Sequence, residues 1–138
     1  MIKMLKTDLL IIGGGPAGVI AAVSAKKNNP NKKITLVRDQ EKTLVPCGIP
    51  YIFHRLSSVE KNIMPDTPLE MNKINLIINR VEKIEKKQNQ VILDDGKKII
   101  YKKLILATGA NPIVIPINGI EKNGVWLIKK DLEYLKKL

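Results

Sequence analysis

The sequence contains few of the residues on which several classes of protein depend. Its single cysteine excludes an internal disulfide framework and favours a reducing, cytoplasmic location. Its single histidine leaves no cluster of metal ligands, so we predict no metal site. The longest apolar runs are too short to cross a bilayer. The N-terminal segment MIKMLKTDLL lacks the apolar core and cleavage site of a signal peptide. We therefore expect neither secretion nor a membrane partner.

Acidic and aromatic residues are also scarce. Lysine and arginine number 24 against 13 aspartates and glutamates, which gives a net charge of +11, and only 4% of the residues are aromatic. Such a charge is compatible with nucleic acid, an acidic protein or a polyanionic small molecule such as a nucleotide. The lysines are spread along the chain, with no basic and aromatic module. We interpret the charge as lysine-rich background and predict no nucleic-acid partner.

The chain of 138 residues is 44% hydrophobic, which predicts a folded domain with a modest core. Apolar runs at Thr7–Ile12 and Ile34–Val37 are typical of buried strands. Small and apolar residues at helical spacing predict a helix from Pro16 to Asn28 between them. These elements predict a βαβ unit with a right-handed crossover, and hence an α/β fold.

Short strand-like segments, Lys98–Tyr101 among them, dominate the second half of the chain. Asp95-Gly96 is a strong hairpin signal, and residues 79–103 predict a small antiparallel meander. A further buried strand is predicted at Leu104–Ala107. One helix is expected to start near Cys47 or Gly48. Two more helices are expected, at Leu69–Asn72 and Lys130–Leu138.

The most informative motif is the spacing G-x-G-x-x-G formed by Gly13, Gly15 and Gly18 between the first strand and the first helix. The first glycine permits a tight turn, the second lets the backbone approach a pyrophosphate, and the third lets the helix pack closely. Pro16 suits the first helical position. The helix N-terminus offers free N–H groups and a partial positive charge to phosphates. The motif predicts a dinucleotide site.

A βαβ unit of this kind usually carries an acidic residue at the end of its second strand, where it binds a ribose. Here Arg38 occupies that position and Asp39 follows. In one interpretation Asp39 or Glu41 reaches the ribose while Arg38 stacks on adenine. In another, Arg38 binds a 2′-phosphate, so that the nucleotide is NADP. In a third, these charges belong to a solvated loop.

Cys47 is the candidate for redox chemistry. It lies in VPCGIPY, where a helix N-terminus would favour the thiolate. An inert cysteine is the alternative. His54 follows seven residues later, about two helical turns along, and could share a face with Cys47. We interpret His54 as a surface residue, with a Cys–His hydrolase pair as the weaker alternative.

Three segments together resemble one family. GGGPAG, PCGIPY and YKKLILATGANP occur in the order found in the flavin-dependent pyridine nucleotide–disulfide oxidoreductases. The resemblance is to the single-cysteine subgroup, which contains coenzyme A disulfide reductases, NADH oxidases and NAD(P)H sulfur reductases. It implies a Rossmann-like FAD-binding βαβ unit with an inserted β-meander.

The resemblance also implies roles for individual residues. Cys47 is the redox cysteine beside the flavin, and Val81 lies in the strand whose backbone faces adenine. Lys26 and Lys27 lie where basic residues of relatives approach the phosphates of coenzyme A. The residues implied to bind FAD are Gly13, Gly14, Gly15, Pro16, Ala17, Gly18, Arg38, Asp39, Val81, Ala107, Thr108 and Gly109, with Ala110 closing the ATG motif.

The chain departs from the family in three ways. Arg38 replaces the usual acid, and no histidine accompanies the glycine motif, which argues against peroxidase chemistry. Family members also continue into NAD(P)H and dimerisation domains. We therefore expect residues 1–138 to form the N-terminal part of the FAD-binding domain, with NAD(P)H bound only in the complete enzyme, which is expected to be a homo-oligomer.

The implied activity is reduction of a disulfide, a coenzyme A disulfide or a sulfur species by NAD(P)H, through FAD and Cys47. Coenzyme A or a small thiol is accordingly an expected partner, together with the missing C-terminal portion or a partner subunit. The alternatives are an NADH oxidase that uses oxygen, or a non-catalytic FAD-binding subunit of a split protein.

Overall fold

A computed structural model describes residues 4–138 of the chain, which divide into two compact units. The first comprises Pro65–Thr108 and the described residues up to Glu41, and the second comprises Lys42–Met64 and Gly109–Leu138. The strands are β1 (Met4–Ile12), β2 (Ile34–Arg38), β3 (Asn75–Ile78), β4 (Val81–Glu85), β5 (Gln90–Leu93) and β6 (Lys98–Leu106). The helices are α1 (Pro16–Asn28), α2 (Ile49–Ile52), α3 (Thr67–Met71) and α4 (Leu132–Leu135).

All the strands of the first unit form one six-stranded sheet in the order β3-β2-β1-β6-β5-β4. The strands β3, β2, β1 and β6 are parallel, whereas β5 pairs antiparallel with both β6 and β4. The α/β class and the Rossmann-like βαβ unit predicted from the sequence are therefore confirmed. The meander extends the parallel sheet, because β6 belongs to both parts.

The segments predicted as two strands, Lys98–Tyr101 and Leu104–Ala107, are one continuous strand. Lys102 and Lys103 interrupt the apolar pattern, but their backbone continues the ladder to β1, and Lys103 pairs with Leu9. The exposed ammonium of Lys102 forms an ion pair with Asp8 of β1. A polar pair on the surface therefore does not break a strand whose backbone is held by its neighbour.

Helix α1 has the predicted bounds. It starts at Pro16 after the N-cap Gly15 and ends at Asn28, and the N–H of the C-cap Asn29 donates to the carbonyls of Ala25 and Lys26. The helix packs on β2 and α3. Its alanines and glycine keep it close to the sheet.

The core of the first unit joins the parallel and antiparallel parts of the sheet. Leu10 and Ile12 of β1 pack in one cluster with Val91 and Leu93 of β5 and with Ile99 of β6. Successive side chains of β1 alternate between the two faces of the sheet, so Ile11, which is also fully buried, lies on the face opposite to this cluster. The two sides of β1 are thus both covered.

The second unit has a smaller core and little regular structure. Leu44, Ile49, Ile52, Val59 and Leu135 form its buried cluster. The helix expected at residues 130–138 is confined to α4, which Asp131 caps by accepting the Tyr134 N–H at 2.7 Å. No helix among residues 4–138 is long and apolar enough to cross a membrane.

Asp8 gives the first unit a measurable pH dependence. Its carboxylate lies 2.7 Å from the Lys102 ammonium and accepts the Lys33 N–H at 2.8 Å, and Lys102 first and then Lys33 hold the pKa of Asp8 below its ordinary value. A lowered pKa in the folded state stabilises the fold above the unfolded pKa, and this stabilisation is lost as the pH falls below about 4. We expect Asp8→Asn to lower the free energy of unfolding by more at pH 7 than at pH 3, as measured by urea titration.

Asp94→Asn, at an exposed position of the hairpin, is the matched control for this measurement. A destabilisation by Asp8→Asn of equal size at both pH values would contradict the assignment.

Candidate functional site

The carboxyl ends of the parallel strands meet at one edge of the sheet. Here β1 ends at Ile12, β2 at Arg38, β3 at Ile78 and β6 at Leu106. In open α/β sheets this is the edge at which ligands bind. A cavity of about 170 Å³ lies there, lined by Ile12, Gly13, Val37, Arg38, Asp39, Asn79, Arg80, Val81 and Thr108.

Two of the motif glycines are required by backbone packing. Gly13 has a φ of +114°, and a Cβ there would lie 2.1 Å from the carbonyl oxygen of Ala107. A Cβ on Gly18 would lie 1.9 Å from the carbonyl oxygen of Gly13. No side chain fits at either position, so the loop, the start of α1 and the end of β6 are held in backbone contact.

The second motif glycine has a different environment. A Cβ on Gly15 would meet nothing within 4 Å, so its own chain gives no steric reason for a glycine. Gly15 is the N-cap of α1, and Pro16 and Ala17 beside it are exposed. The first turn of a helix has N–H groups without intrahelical acceptors. Open space beside these donors fits a phosphate group that approaches the backbone closely.

Arg38 is buried, so the solvated-loop interpretation is wrong for this residue. Its side chain is 2% exposed and forms a two-pronged ion pair with Asp66, with nitrogen–oxygen distances of 2.6 and 2.7 Å. Its Nε donates to the Gln40 carbonyl at 2.8 Å, and Nη2 donates to the Glu41 carbonyl. Asp39, by contrast, is exposed and lines the cavity.

Gly14 lies under the side chain of Arg38. A Cβ on Gly14 would lie 2.4 Å from Cδ and 2.9 Å from Cβ of Arg38. The aliphatic part of Arg38 therefore occupies the space over the glycine loop. This explains why residue 14, which the G-x-G-x-x-G spacing leaves variable, is also a glycine.

Sequence reasoning missed two polar residues of the cavity, Asn79 and Arg80. The Asn79 N–H donates to the Arg38 carbonyl at 2.8 Å, and its Oδ1 accepts the Arg80 N–H at 2.6 Å. Their position directly after β3 was the available signal, since residues that follow parallel strands lie at the ligand-binding edge. Val81, which was singled out, lies beside them.

The ATG segment begins at the same edge. The Ala107 N–H donates to the Ile12 carbonyl at 2.8 Å, and Thr108 lines the cavity. Gly109 and Ala110 belong to the second unit, where both are exposed and Gly109 has a φ of +75°. The structure therefore places Ala107 and Thr108 with the glycine loop.

Cys47 lies in the second unit, exposed, in a 3₁₀ turn at Pro46–Gly48. Asn62, which is buried and which sequence reasoning missed, supports this turn. Its Nδ2 donates to the Val45 carbonyl at 2.9 Å, and its own carbonyl accepts the Val45 N–H at 2.9 Å. A Cβ on Gly48 would lie 1.8 Å from Oδ1 of Asn62. Gly48 and Asn62 thus fit closely beside Cys47.

The expected helical face shared by Cys47 and His54 does not exist. Helix α2 spans only Ile49–Ile52, and His54 lies beyond it in an exposed turn. Four helical residues also supply few aligned peptide dipoles at their N-terminus. Among residues 4–138, no three His, Cys, Asp or Glu side chains lie close enough to hold a metal ion.

Lys26 and Lys27 lie in the last turn of α1, at the opposite end of the helix from the glycine loop. Lys26 Nζ donates to the Lys32 carbonyl at 2.8 Å. These lysines are therefore not brought to the cavity.

The sheet order, the glycine loop and the cavity at the carboxyl edge define a Rossmann-type nucleotide-binding domain. Residues 7–136 match the family model described as pyridine nucleotide-disulphide oxidoreductase, and the chain belongs to this family. It is 31% identical over 129 residues to an NADH oxidase of Methanocaldococcus jannaschii. It is also 33% identical over 131 residues to a CoA-dependent NAD(P)H sulfur oxidoreductase of Pyrococcus abyssi.

A solved structure shares the fold. The sulfide:quinone oxidoreductase of Aquifex aeolicus superposes with a TM-score of 0.76 at 30% identity over 95% of this chain and 31% of that protein. The two sequence relatives match 87% and 91% of this chain, but only 29% of their own lengths. The chain thus spans about a third of the proteins it resembles.

Alanine at two glycines of the motif should lower stability by very different amounts. Gly13→Ala places a Cβ against the Ala107 carbonyl at a positive φ, so we expect a loss of at least about 3 kcal/mol in the free energy of unfolding. Gly15→Ala meets open space and should lose less than about 1 kcal/mol, the cost of alanine at an N-cap. Urea unfolding measures both, and equal losses would contradict this distinction.

Proposed function

We propose that this chain forms the N-terminal part of the FAD-binding domain of an NAD(P)H-dependent flavoprotein oxidoreductase. The observation that carries the proposal is the open N-terminus of α1 at Gly15, beside a cavity at the carboxyl edge of the sheet. Membership of the oxidoreductase family supports a flavin dinucleotide as the ligand of this cavity.

The residues of the first unit fit this ligand. Gly14, Gly15 and Ala17 offer backbone N–H donors to the pyrophosphate, and Pro16, which has no N–H, starts the helix beside them. Gly13 and Gly18 hold the loop in place. Asp39 supplies a carboxylate for the adenosine ribose. The cavity is also lined by Asn79, Arg80, Val81 and Thr108. Ala107 and Gly109 are proposed as binding residues because they belong to the segment that resembles the ATG motif of the family.

Cys47 is proposed as the redox residue, acting on a disulfide, a coenzyme A disulfide or a sulfur species. Its exposed thiolate attacks one sulfur of a disulfide, forms a mixed disulfide and releases the other half as a thiolate. Reduction of the mixed disulfide to the Cys47 thiolate and a free thiol consumes two electrons and one proton. FAD bound to the complete protein, reduced by hydride from NAD(P)H, supplies these electrons.

The names of the relatives support two electron acceptors. The Pyrococcus abyssi protein is a CoA-dependent sulfur oxidoreductase, which favours a sulfur acceptor and a coenzyme A thiol as partner. The Methanocaldococcus jannaschii protein is an NADH oxidase, which favours oxygen. We place the sulfur acceptor first because Cys47 is held in a supported turn at the protein surface.

The nicotinamide site and the remaining part of the flavin site lie outside these residues in this proposal. The relatives are about three times as long as the aligned segment, which supports a further portion of chain or a partner subunit. A non-catalytic FAD-binding subunit of a split protein is the alternative. We also propose a homo-oligomeric assembly for the complete enzyme and a cytoplasmic location, where Cys47 is maintained as a thiol.

The proposal predicts that the chain distinguishes flavin nucleotides. FMN lacks the adenosine and one phosphate, so it should bind at least about tenfold more weakly than FAD, measured by quenching of flavin fluorescence. Gly15→Ala should weaken FAD binding by a similar factor, while urea unfolding shows the variant to be folded. Equal binding of FMN and FAD, or no FAD binding even with the completing polypeptide, would overturn the proposal.

Substitution of the cysteine distinguishes the acceptors. In the protein completed by its remaining portion, Cys47→Ser should abolish NAD(P)H-dependent disulfide reduction and leave most of any oxygen consumption by the flavin. His54→Gln, in the exposed turn after α2, is the control and should retain both activities. Near-normal disulfide reduction by Cys47→Ser would remove Cys47 from the mechanism.

A further inference from the structure

The guanidinium of Arg38 has almost no hydrogen-bonding capacity left for a ligand. Asp66 occupies Nη1 and one N–H of Nη2, and the carbonyls of Gln40 and Glu41 occupy Nε and the second N–H of Nη2. The charge is neutralised by a carboxylate at 2.6 Å, in a side chain that is almost fully buried. Recognition of a 2′-phosphate would require breaking this pair.

Arg38 joins three segments that are distant in the sequence. Its aliphatic part lies over Gly14 of the glycine loop, and its guanidinium holds the turn at Gln40 and Glu41. Asp66 connects the same group to the start of α3. In the sequence, Asp39 lies between Arg38 and the bonded carbonyls of Gln40 and Glu41, and it lines the cavity.

Asp66 serves this contact at the expense of its usual role. It is the N-cap of α3, a position at which an aspartate side chain ordinarily accepts an N–H from the first helical turn. Here its side chain makes no cap hydrogen bond, and both carboxylate oxygens face Arg38.

We infer that Arg38 and Asp66 form a positioning pair for the adenosine end of the proposed flavin site. The pair fixes the turn that carries Asp39 and leaves that carboxylate to bind an unmodified ribose. A 2′-phosphate gains no partner from Arg38, whose guanidinium is committed to Asp66, and it meets the carboxylate of Asp39, so the pair favours a nucleotide with a free 2′-hydroxyl; Arg80 is the other cation of the cavity lining. This inference rests on the proposed FAD site.

Substitution of both partners separates positioning from stability. Removing one partner leaves a buried charge, so Arg38→Met or Asp66→Leu alone should lower the urea midpoint of unfolding. Replacing both with apolar side chains should restore most of that loss, since a buried ion pair is often replaceable in this way. The double variant should nevertheless bind FAD at least about tenfold more weakly, because the Gln40 and Glu41 carbonyls lose their donors.

Two further variants keep the test decisive. Arg38→Lys retains the charge but not the planar fork, so it should fold and bind FAD more weakly than the unsubstituted chain. The control is Lys97→Met, which removes an exposed ion pair with Asp95 and should leave FAD binding unchanged. If the double variant and Arg38→Lys bind FAD as tightly as the unsubstituted chain, the pair has only a structural role.

Competition tests the selectivity directly. ADP-ribose and its 2′-phosphate differ only in the group in question, and ADP-ribose should displace FAD at least about tenfold more effectively. Equal or better displacement by the 2′-phosphate would overturn the inference. Failure of the unsubstituted chain to bind FAD even with the completing polypeptide would instead overturn the proposed function, so the two failures are distinguishable.

Discussion

The first unit depends on the backbone contact between the glycine loop and the end of β6. Gly13 and Gly18 leave no room for a side chain against the carbonyls of Ala107 and Gly13, respectively. This contact sets the start of α1 immediately behind β1 and brings Thr108 to the same edge as Arg38. The open N-terminus of the helix and the cavity beside it follow from this arrangement. Packing therefore creates the open space in which we propose that a phosphate binds.

Electrostatics divides the charged residues of this edge into two groups. Arg38 and Asp66 neutralise each other in a buried pair and hold backbone segments together. Asp39 and Arg80 are exposed and line the cavity, where their charges are available to a ligand. A buried ion pair contributes little net stability compared with apolar residues of similar size. The ion pair between Arg38 and Asp66 instead fixes the position of the loop after β2 relative to the N-terminus of α3.

The chemistry of the chain is divided between its two units. The first has the edge proposed to bind the nucleotide, and its core continues from the parallel strands into the antiparallel ones. The second carries Cys47 on a turn whose position is set by the close fit of Gly48 against Asn62. Each unit has its own buried cluster. Family membership connects these features with flavin-dependent oxidoreductases, of which this chain aligns with about a third.

The sequence by itself determined the features that depend on neighbouring residues. The bounds of α1, the hairpin at Gly96 and the glycine spacing follow from local backbone preferences, which act within a few residues. Only the tertiary structure decided the burial of Arg38, because its partner Asp66 is 28 residues away. The continuity of β6 through its lysines likewise came from pairing with β1, and the role of Asn79 came from the parallel alignment of β2 and β3. Contacts between distant segments depend on how the strands align, and local composition does not specify that alignment.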